Sequence, residues 1–484
     1  MTPGTATVVY ALAILVLFRL DRDRKSPVSA ALWLPVAWMS IGASRAVSQW
    51  LQLAPVMESP DQYVDGSPLD RLILAGLLAG GVIVLLTRGQ RVGAVLRANG
   101  PLLVFFYYCA ASVLWSDYPF VAFKRWTKAL GNLVMVLIVL TETDRSAAVK
   151  RLLVRSGFLL VPLSVLLIKY YPDLGRGYTP WNWMPYYIGV AGDKNGLGVV
   201  CMVFGLGSLW RLVEGLRSRE RPRGAGPLIA HGAVLAMAIW LFGKASSATA
   251  LGCFLAGGGL ILFAGRSRLA PRPAAVHVLV VAIVSLCLLG VFVAPELGLV
   301  QAMGRHSTLT GRTELWDELI QMSEHPWVGT GFESFWLGDR AKALWENHWW
   351  HPNEAHNGYL EVFLNLGWVG VALLGFVMAW GYRTVVGSLR LSPELSRLRL
   401  AYFTVAVLYN MTEAGFKVMH PIWITFMLAI MNAPDATRRE DRRSTSIPSR
   451  TDPAGELFGT RVTDQHTIDV VKYERRSHDR SEHS

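Results

Sequence analysis

Long apolar runs, nearly free of charge, constrain this chain more than any other feature. Segments at about 4-19, 28-44, 70-87, 101-116, 127-142, 152-169, 195-213, 228-243, 246-264, 275-294, 358-382, 398-412 and 418-432 each approach the roughly 20 residues that a bilayer core requires. Their apolar residues lie on every helical face rather than in one stripe, so they do not suit the surface of a soluble domain. With 52% hydrophobic and 17% charged residues, the chain reads as an all-α integral membrane protein of twelve or thirteen transmembrane helices. Residues 4-19 read as a retained span rather than a signal peptide: no basic region precedes them, and Arg19, Arg22, Arg24 and Lys25 follow. The four cysteines, Cys109, Cys201, Cys253 and Cys287, fall inside expected helices without paired spacing, which suggests packing rather than a disulfide or metal framework.

Basic residues set the orientation. The connections at 19-25, 88-97, 145-155, 211-223, 266-272 and 383-399 carry 23 of the 47 Lys and Arg and alternate along the chain, so the positive-inside rule makes them cytoplasmic. Residues 433-484 hold ten basic and ten acidic residues with little apolar content, a composition expected of a disordered cytoplasmic tail. The net charge of +12 is largely this topological signal, and no basic face interleaved with aromatics suggests nucleic acid. Against the rule, Lys124, Arg125, Lys128, Arg176, Lys194, Lys244, Arg305 and Arg312 fall on the opposite side. Each is either an interfacial or ion-paired side chain or part of an outward cluster suited to phosphate.

The outer loops divide by composition. The 45-70 loop carries Glu58, Asp61, Asp65 and Asp70 and reads as solvated surface, whereas 170-194 is rich in aromatics, Gly and Pro. Trp181, Trp183, Tyr186 and Tyr187 there suit either sugar stacking or interfacial anchoring. The longest outer loop, 295-357, holds a helical pattern from Arg312 to Met322, a turn-rich HPWVGTGFESFW, and a Trp- and His-rich stretch. It ends at HNGYLEVFLNLGWVG, His356 to Gly370. Pro352-Asn353 suggests a helix start that places His356 in the first turn, where the helix field favours neutral imidazole, the form a general base needs. His348, His351 and His356 invite a zinc reading, but their spacing fits no familiar pattern and no nearby carboxylate pair completes it. Glu413, an intramembrane acid in NMTEAGF, is either functional or a partner of Lys417.

His356-Asn357, followed by Gly367 and Gly370, resembles the signature of the O-antigen ligase and Wzy-type polysaccharide polymerase superfamily. VLWSDYPFVAFKRW at 113-126, GDKNGLG at 192-198, GKASSATALG at 243-252 and GRTELWDELIQMSEHPWVGTGF at 311-332 follow in the expected order, and together the resemblance spans about 100-432. Lys244, where ligases carry Ser-Arg, points to the exopolysaccharide polymerase branch. The resemblance implies a GT-C-like membrane fold in a bacterial inner membrane, with a periplasmic active site. It also implies a polyprenyl-pyrophosphate-linked oligosaccharide donor, a glycan or lipid-linked glycan acceptor, and other polysaccharide assembly and export proteins as partners. The division is then 1-99 as N-terminal helices, 100-432 as the ligase/polymerase-like domain, and 433-484 as the tail.

Transfer from a lipid pyrophosphate requires charge stabilisation on the leaving group and a base for the attacking hydroxyl. The expected catalytic set is His356 as base with Lys244 and Arg312 as electrophilic stabilisers; Arg312 either binds pyrophosphate or pairs with Glu314 or Asp317. Substrate contacts are expected from Arg176, Lys194, Asn195, Arg125, Asn357 and Glu413, with no metal or cofactor. Attack from the opposite face implies inversion. A transporter of lipid-linked oligosaccharide also has many helices and a basic vestibule, but transporters often show related halves, and no internal repeat is seen. A non-catalytic export scaffold is the third class.

Overall fold

The structure, a computed structural model, describes residues 1–22, 28–53, 66–179, 183–217, 224–264, 273–289, 310–390 and 392–434. Glu58, Asp61, Asp65, Trp181, Arg305 and the expected tail lie outside the described residues. Every one of the thirteen apolar runs contains a helix. In order these are α1 (Pro3–Leu20), α2 (Trp33–Gly42), α3 (Pro68–Leu86), α4 (Gly100–Ala111), α5 (Pro119–Leu140), α6 (Arg145–Tyr170), α7 (Lys194–Arg217), α8 (Gly226–Ala245), α9 (Ala248–Phe263) and α10 (Pro273–Leu288). Two helices of the long loop follow, α11 (Thr310–Gln321) and α12 (Gly338–Asn347), then α13 (Gly358–Ser388), α14 (Pro393–Tyr409) and α15 (Pro421–Ile430).

Among the described residues, six helices are long and apolar enough to cross a membrane, namely α1, α3, α6, α7, α8 and α13. A seventh span counts if Gly89–Arg97 and Gly100–Trp115, bent by 90°, are one. The runs at 28-44, 246-264, 275-294 and 418-432 hold shorter apolar helices among the described residues. Helix starts are legible in the sequence: Pro3, Pro68, Pro119, Pro393 and Pro421 occupy first turns, where a missing N–H costs nothing. Asp144 caps α6 by accepting from Ala147 N at 2.9 Å.

The principal core runs through α6, α7, α8, α9, α14 and α15. A separate cluster holds the long loop together: Leu315 and Leu319 of α11, Phe335, Leu344 of α12 and Ala355 pack on Phe363 and Leu364 of α13. Each buried Leu or Phe there contributes about 1.5–3 kcal/mol. The 170–194 segment is not a plain loop. It folds into an antiparallel hairpin, β1 (Arg176–Tyr178) and β2 (Pro185–Tyr187), with Arg176 opposite Tyr187.

One break decides where the long loop sits. Inside α13, Gly367 has φ 64° and ψ −168°, so residues 358–366 form a half-helix distinct from the part that continues to Ser388. The expectation of a continuous span from 358 is corrected here. Residues 326–331 fill the break: Trp368 N and Val369 N donate to Pro326 O and Trp327 O at 2.9 and 3.1 Å, and Thr330 N and Gly331 N donate to Leu364 O and Asn365 O at 3.1 and 2.9 Å. The backbone freed by the break is thereby satisfied within protein, the condition for irregular structure at a membrane. A Cβ on Gly367 would lie 2.2 Å from Trp327 C. Ser112 and the VLWSDYP motif that follows it hold the same loop: Phe332 N donates to Ser112 Oγ at 3.0 Å, and Ser116 Oγ lies 2.8 Å from Ser334 Oγ.

Candidate functional site

His356 stands just outside α13, not within its first turn. Asn357 is the N-cap, its Oδ1 accepting from Tyr359 N and Leu360 N at 3.0 and 3.2 Å, and His356 itself adopts φ 49°. That left-handed backbone is uncommon for a residue with a Cβ, and it turns the imidazole back toward the loop between α14 and α15. The Oδ1 of Asn357 is thus taken up by the helix end.

Glu413 gathers residues from three distant stretches. Buried in the α14–α15 loop, it accepts from His356 Nδ1 at 3.2 Å, Arg312 Nη2 at 3.0 Å and Asn195 Nδ2 at 3.1 Å. Arg312 also donates to Thr412 O, so it pairs with neither Glu314 nor Asp317. Asn410 shapes this loop: its Oδ1 accepts from Gly415 N and Phe416 N at 2.8 and 2.9 Å. Glu413 does not neutralise Lys417. Lys417 Nζ instead lies 2.7 Å from Glu354 Oε2 and 3.9 Å from Glu361 Oε1, while Glu354 Oε1 is 2.9 Å from His356 Nδ1.

The imidazole therefore faces two carboxylates. Burial alone would lower its proton affinity, but the hydrogen bonds and charges of Glu354 and Glu413 outweigh this and push its pKa up to about 9. The expected neutral histidine is corrected: a helix-end field is weak against two carboxylates at contact distance. Burial would likewise raise Glu354, yet Lys417 and His356 hold it well below the usual carboxylate range. Nδ1 is held by carboxylates, and among the described residues Nε2 has no partner, so Nε2 is the atom free to meet a ligand.

Lys244 and Arg176 form a second group. Both lie by the Tyr187 ring, Lys244 Nζ at 5.1 Å and Arg176 Cζ at 5.7 Å from its centroid, and Lys244 is also 5.7 Å from Trp240. Arg176 donates to Ile168 O at 3.1 Å. Among the described residues no carboxylate pairs with either cation. Ser246, with φ 52°, turns the chain from α8 into α9, and Thr249 Oγ1 meets Thr412 Oγ1 at 2.9 Å, which ties this turn to the Glu413 loop. Arg125 lies elsewhere, donating to Glu333 O. Lys194 is exposed at the start of α7.

A metal reading needs separate treatment. His348 turns to Glu318 at 2.6 Å and His351 stacks on Trp345 at 4.5 Å, so the three histidines are drawn apart. Glu354, His356 and Glu413, however, place three ligand atoms within 4.8 Å of one another, which corrects the expectation that no carboxylate pair lies by His356. The same carboxylates already face Lys417 and Arg312, two fixed cations that balance their charge.

Glu354, Glu361 and Lys417 were not foreseen as one network. The signal was present for Glu361, an acid inside an apolar segment; Glu354 sits only two residues from His356, but Lys417 reaches it across 63 residues.

Residues 232–375 match the family model described as O-antigen ligase. The chain is also 26% identical over 378 residues to exopolysaccharide production protein ExoQ of Rhizobium meliloti (strain 1021), an alignment covering 75% of this chain and 83% of that protein. The matched segment contains Lys244, Arg312, His356 and Gly367, while Asn195 and Glu413 lie beyond it.

Proposed function

This is an O-antigen ligase- and Wzy-like membrane protein, and from that premise we propose that it transfers glycan from a polyprenyl-pyrophosphate carrier onto a glycan acceptor in exopolysaccharide production. The observation that carries the reading is the convergence of His356, Glu413, Arg312 and Asn195 on one point from four separate stretches. Carboxylates fix Nδ1 as the donor nitrogen, which leaves Nε2 to take a proton, the arrangement by which a carboxylate orients a histidine base.

In this mechanism the acceptor hydroxyl loses its proton to His356 Nε2 and its oxygen bonds to the anomeric carbon. The bond from that carbon to the pyrophosphate oxygen breaks, and the lipid pyrophosphate departs with the electron pair. Lys244 and Arg176, which lack carboxylate partners among the described residues, meet the departing charge in this reading. Arg312 is instead engaged by Glu413, so its first role is to hold that carboxylate against His356. Entry of the hydroxyl opposite the leaving group gives inversion. The fixed cations do what a divalent metal does at other phosphate-transfer sites, so turnover is independent of metal. Polymerisation follows when the acceptor is a second lipid-linked repeat, and ligation when it is another glycolipid. The site faces the periplasm, by the alternation of basic loops.

Purified protein in nanodiscs, given a synthetic polyprenyl-pyrophosphate oligosaccharide in EDTA, tests the reading. Wild type is expected to lengthen or transfer the glycan, while folded His356→Ala loses at least a thousandfold. Product size separates polymerase from ligase. Equal activity of the two proteins removes His356 from the chemistry, and no turnover by wild type favours a transporter.

A further inference from the structure

A cleft opens beside Glu354. It is lined by Arg125, Glu333, Trp336, Trp345, Asn353 and Lys417 together with Glu354. Glu333 stands out within it. Its backbone has φ 54°, a left-handed conformation that is unfavourable for a residue with a Cβ, and strain of this kind tends to persist where function requires it. Its carboxylate makes no hydrogen bond or close ion pair among the described residues, although it shares the field of Arg125, Lys128 and Lys417, whereas Glu354, Glu361 and Glu413 are all paired at contact distance. The two indoles enter the cleft with their N–H groups already engaged, Trp336 to Glu361 Oε2 at 2.9 Å and Trp345 to Pro352 O at 3.0 Å. His351 stacks on Trp345 and Phe335 packs edge-on against Trp336, so what the two indoles present to the cleft is ring surface rather than a donor.

A carboxylate without a hydrogen bond among the described residues, beside apolar ring faces, is the chemistry that reads a pyranose: hydroxyls donate to the acid and the C–H face packs on the rings. We propose that this cleft is the acceptor-sugar subsite, with Glu333 as the residue that reads an acceptor hydroxyl. The inference rests on the transferase reading above. Glu354 lines the cleft and also meets His356 Nδ1 at 2.9 Å, so a sugar held here lies beside a residue that orients the base, while Lys244 and Arg176 serve the donor pyrophosphate from their separate group.

The test uses full-length protein in nanodiscs, a polyprenyl-pyrophosphate donor, and an acceptor repeat carried on a simple alkyl chain, which accepts but cannot donate. Glu333→Gln is expected to raise the KM for the acceptor about tenfold or more, with the donor KM within twofold of wild type. Glu333→Gly relieves the strained backbone and is expected to melt at or above the wild-type temperature while showing the same acceptor defect. Unchanged acceptor KM in both variants, with wild type active and His356→Ala inactive, overturns the subsite and leaves the transferase reading standing. A donor KM that rises as much as the acceptor KM also overturns it. Failure of wild type to transfer at all overturns the transferase reading and the subsite with it.

Discussion

Two ends of the helix bundle carry buried ion pairs, and they use them differently. At the end formed by the basic connections, Glu142 accepts from Ser29 N at 3.1 Å, from Ser29 Oγ and from Arg88 Nη2, both at 2.5 Å. Glu214 there binds Lys150 and, at 2.7 Å, Arg211, which reaches on to Asp21. Each acid is used up in joining one helix or connection to another. At the other end the acids are paired as closely, but the pairs border an open cleft, and His356 keeps 25% of its side chain exposed. Pairing alone does not mark a site. A site also needs an atom left over, and Nε2 of His356 and the carboxylate of Glu333 are such atoms.

The sharpest way to break this contrast is to remove one acid from each end. Glu413→Ala takes away the group that orients His356 and leaves Arg312 uncompensated, so transfer is expected to fall by roughly a thousandfold or more. Glu142→Ala strips a buried partner from Arg88, at a cost of about 3–5 kcal/mol in stability, yet turnover per folded molecule stays within a few-fold. Denaturation in detergent and transfer assays on the same preparations separate the two effects. Equal losses of turnover would mean that the ends do not differ in kind.

Gly367 tests whether the broken helix places the site. Gly367→Ala forces a Cβ toward Trp327 in a conformation glycine tolerates best. The loop at 326–331 must then leave the break, so about 2–3 kcal/mol of stability and most of the activity are expected to go together. Retained activity with lowered stability would detach the loop from the chemistry.

A milder probe is pH. With its pKa near 9, His356 is mostly protonated at neutrality, so a base role predicts that kcat/KM climbs with pH to a limb near 9. Glu354→Gln removes one cause of the upward shift and is expected to move that limb to lower pH. Linkage supplies a second readout. A folded pKa above the unfolded value of 6.5 means that the stability His356 contributes is full below 6.5 and is lost as pH rises through about 9. A limb that stays in place in the variant would show that another group titrates.

Much of this was legible from residue order. Apolar runs located thirteen helices, and first-turn prolines marked many of their starts, because bilayer length and proline geometry are local constraints. His356, Arg312 and Asn195 were legible as members of the site, as was Glu413. Their relations were not: the sequence offered Lys417 as the partner of Glu413, since it lies one turn away, whereas the fold brings Arg312 to it across 101 residues. The charge state of His356 was misjudged for the same reason, because local helix fields can be read in sequence and long-range carboxylates cannot. Gly367 was legible only through its spacing to His356-Asn357 and Gly370, which does not reveal that its positive φ ends a half-helix.

The smallest contrast lies between two neighbours at the start of α7. Asn195 donates to Glu413, a hydrogen bond to an ionised acceptor, and Asn195→Ala is expected to cost transfer about tenfold. Lys194 is exposed one residue earlier, with the unfavourable sign for a helix N-terminus and no carboxylate within reach among the described residues. Lys194→Ala should therefore leave kcat/KM within about twofold, as long as the lysine does not touch the substrate. Measured side by side at low and high salt, the pair distinguishes a bond inside the site from a charge at its rim, since only the rim charge is screened. A Lys194 loss as large as the Asn195 loss, fading with salt, would extend the site outward to the GDKNGLG turn and make the donor's pyrophosphate its nearest partner.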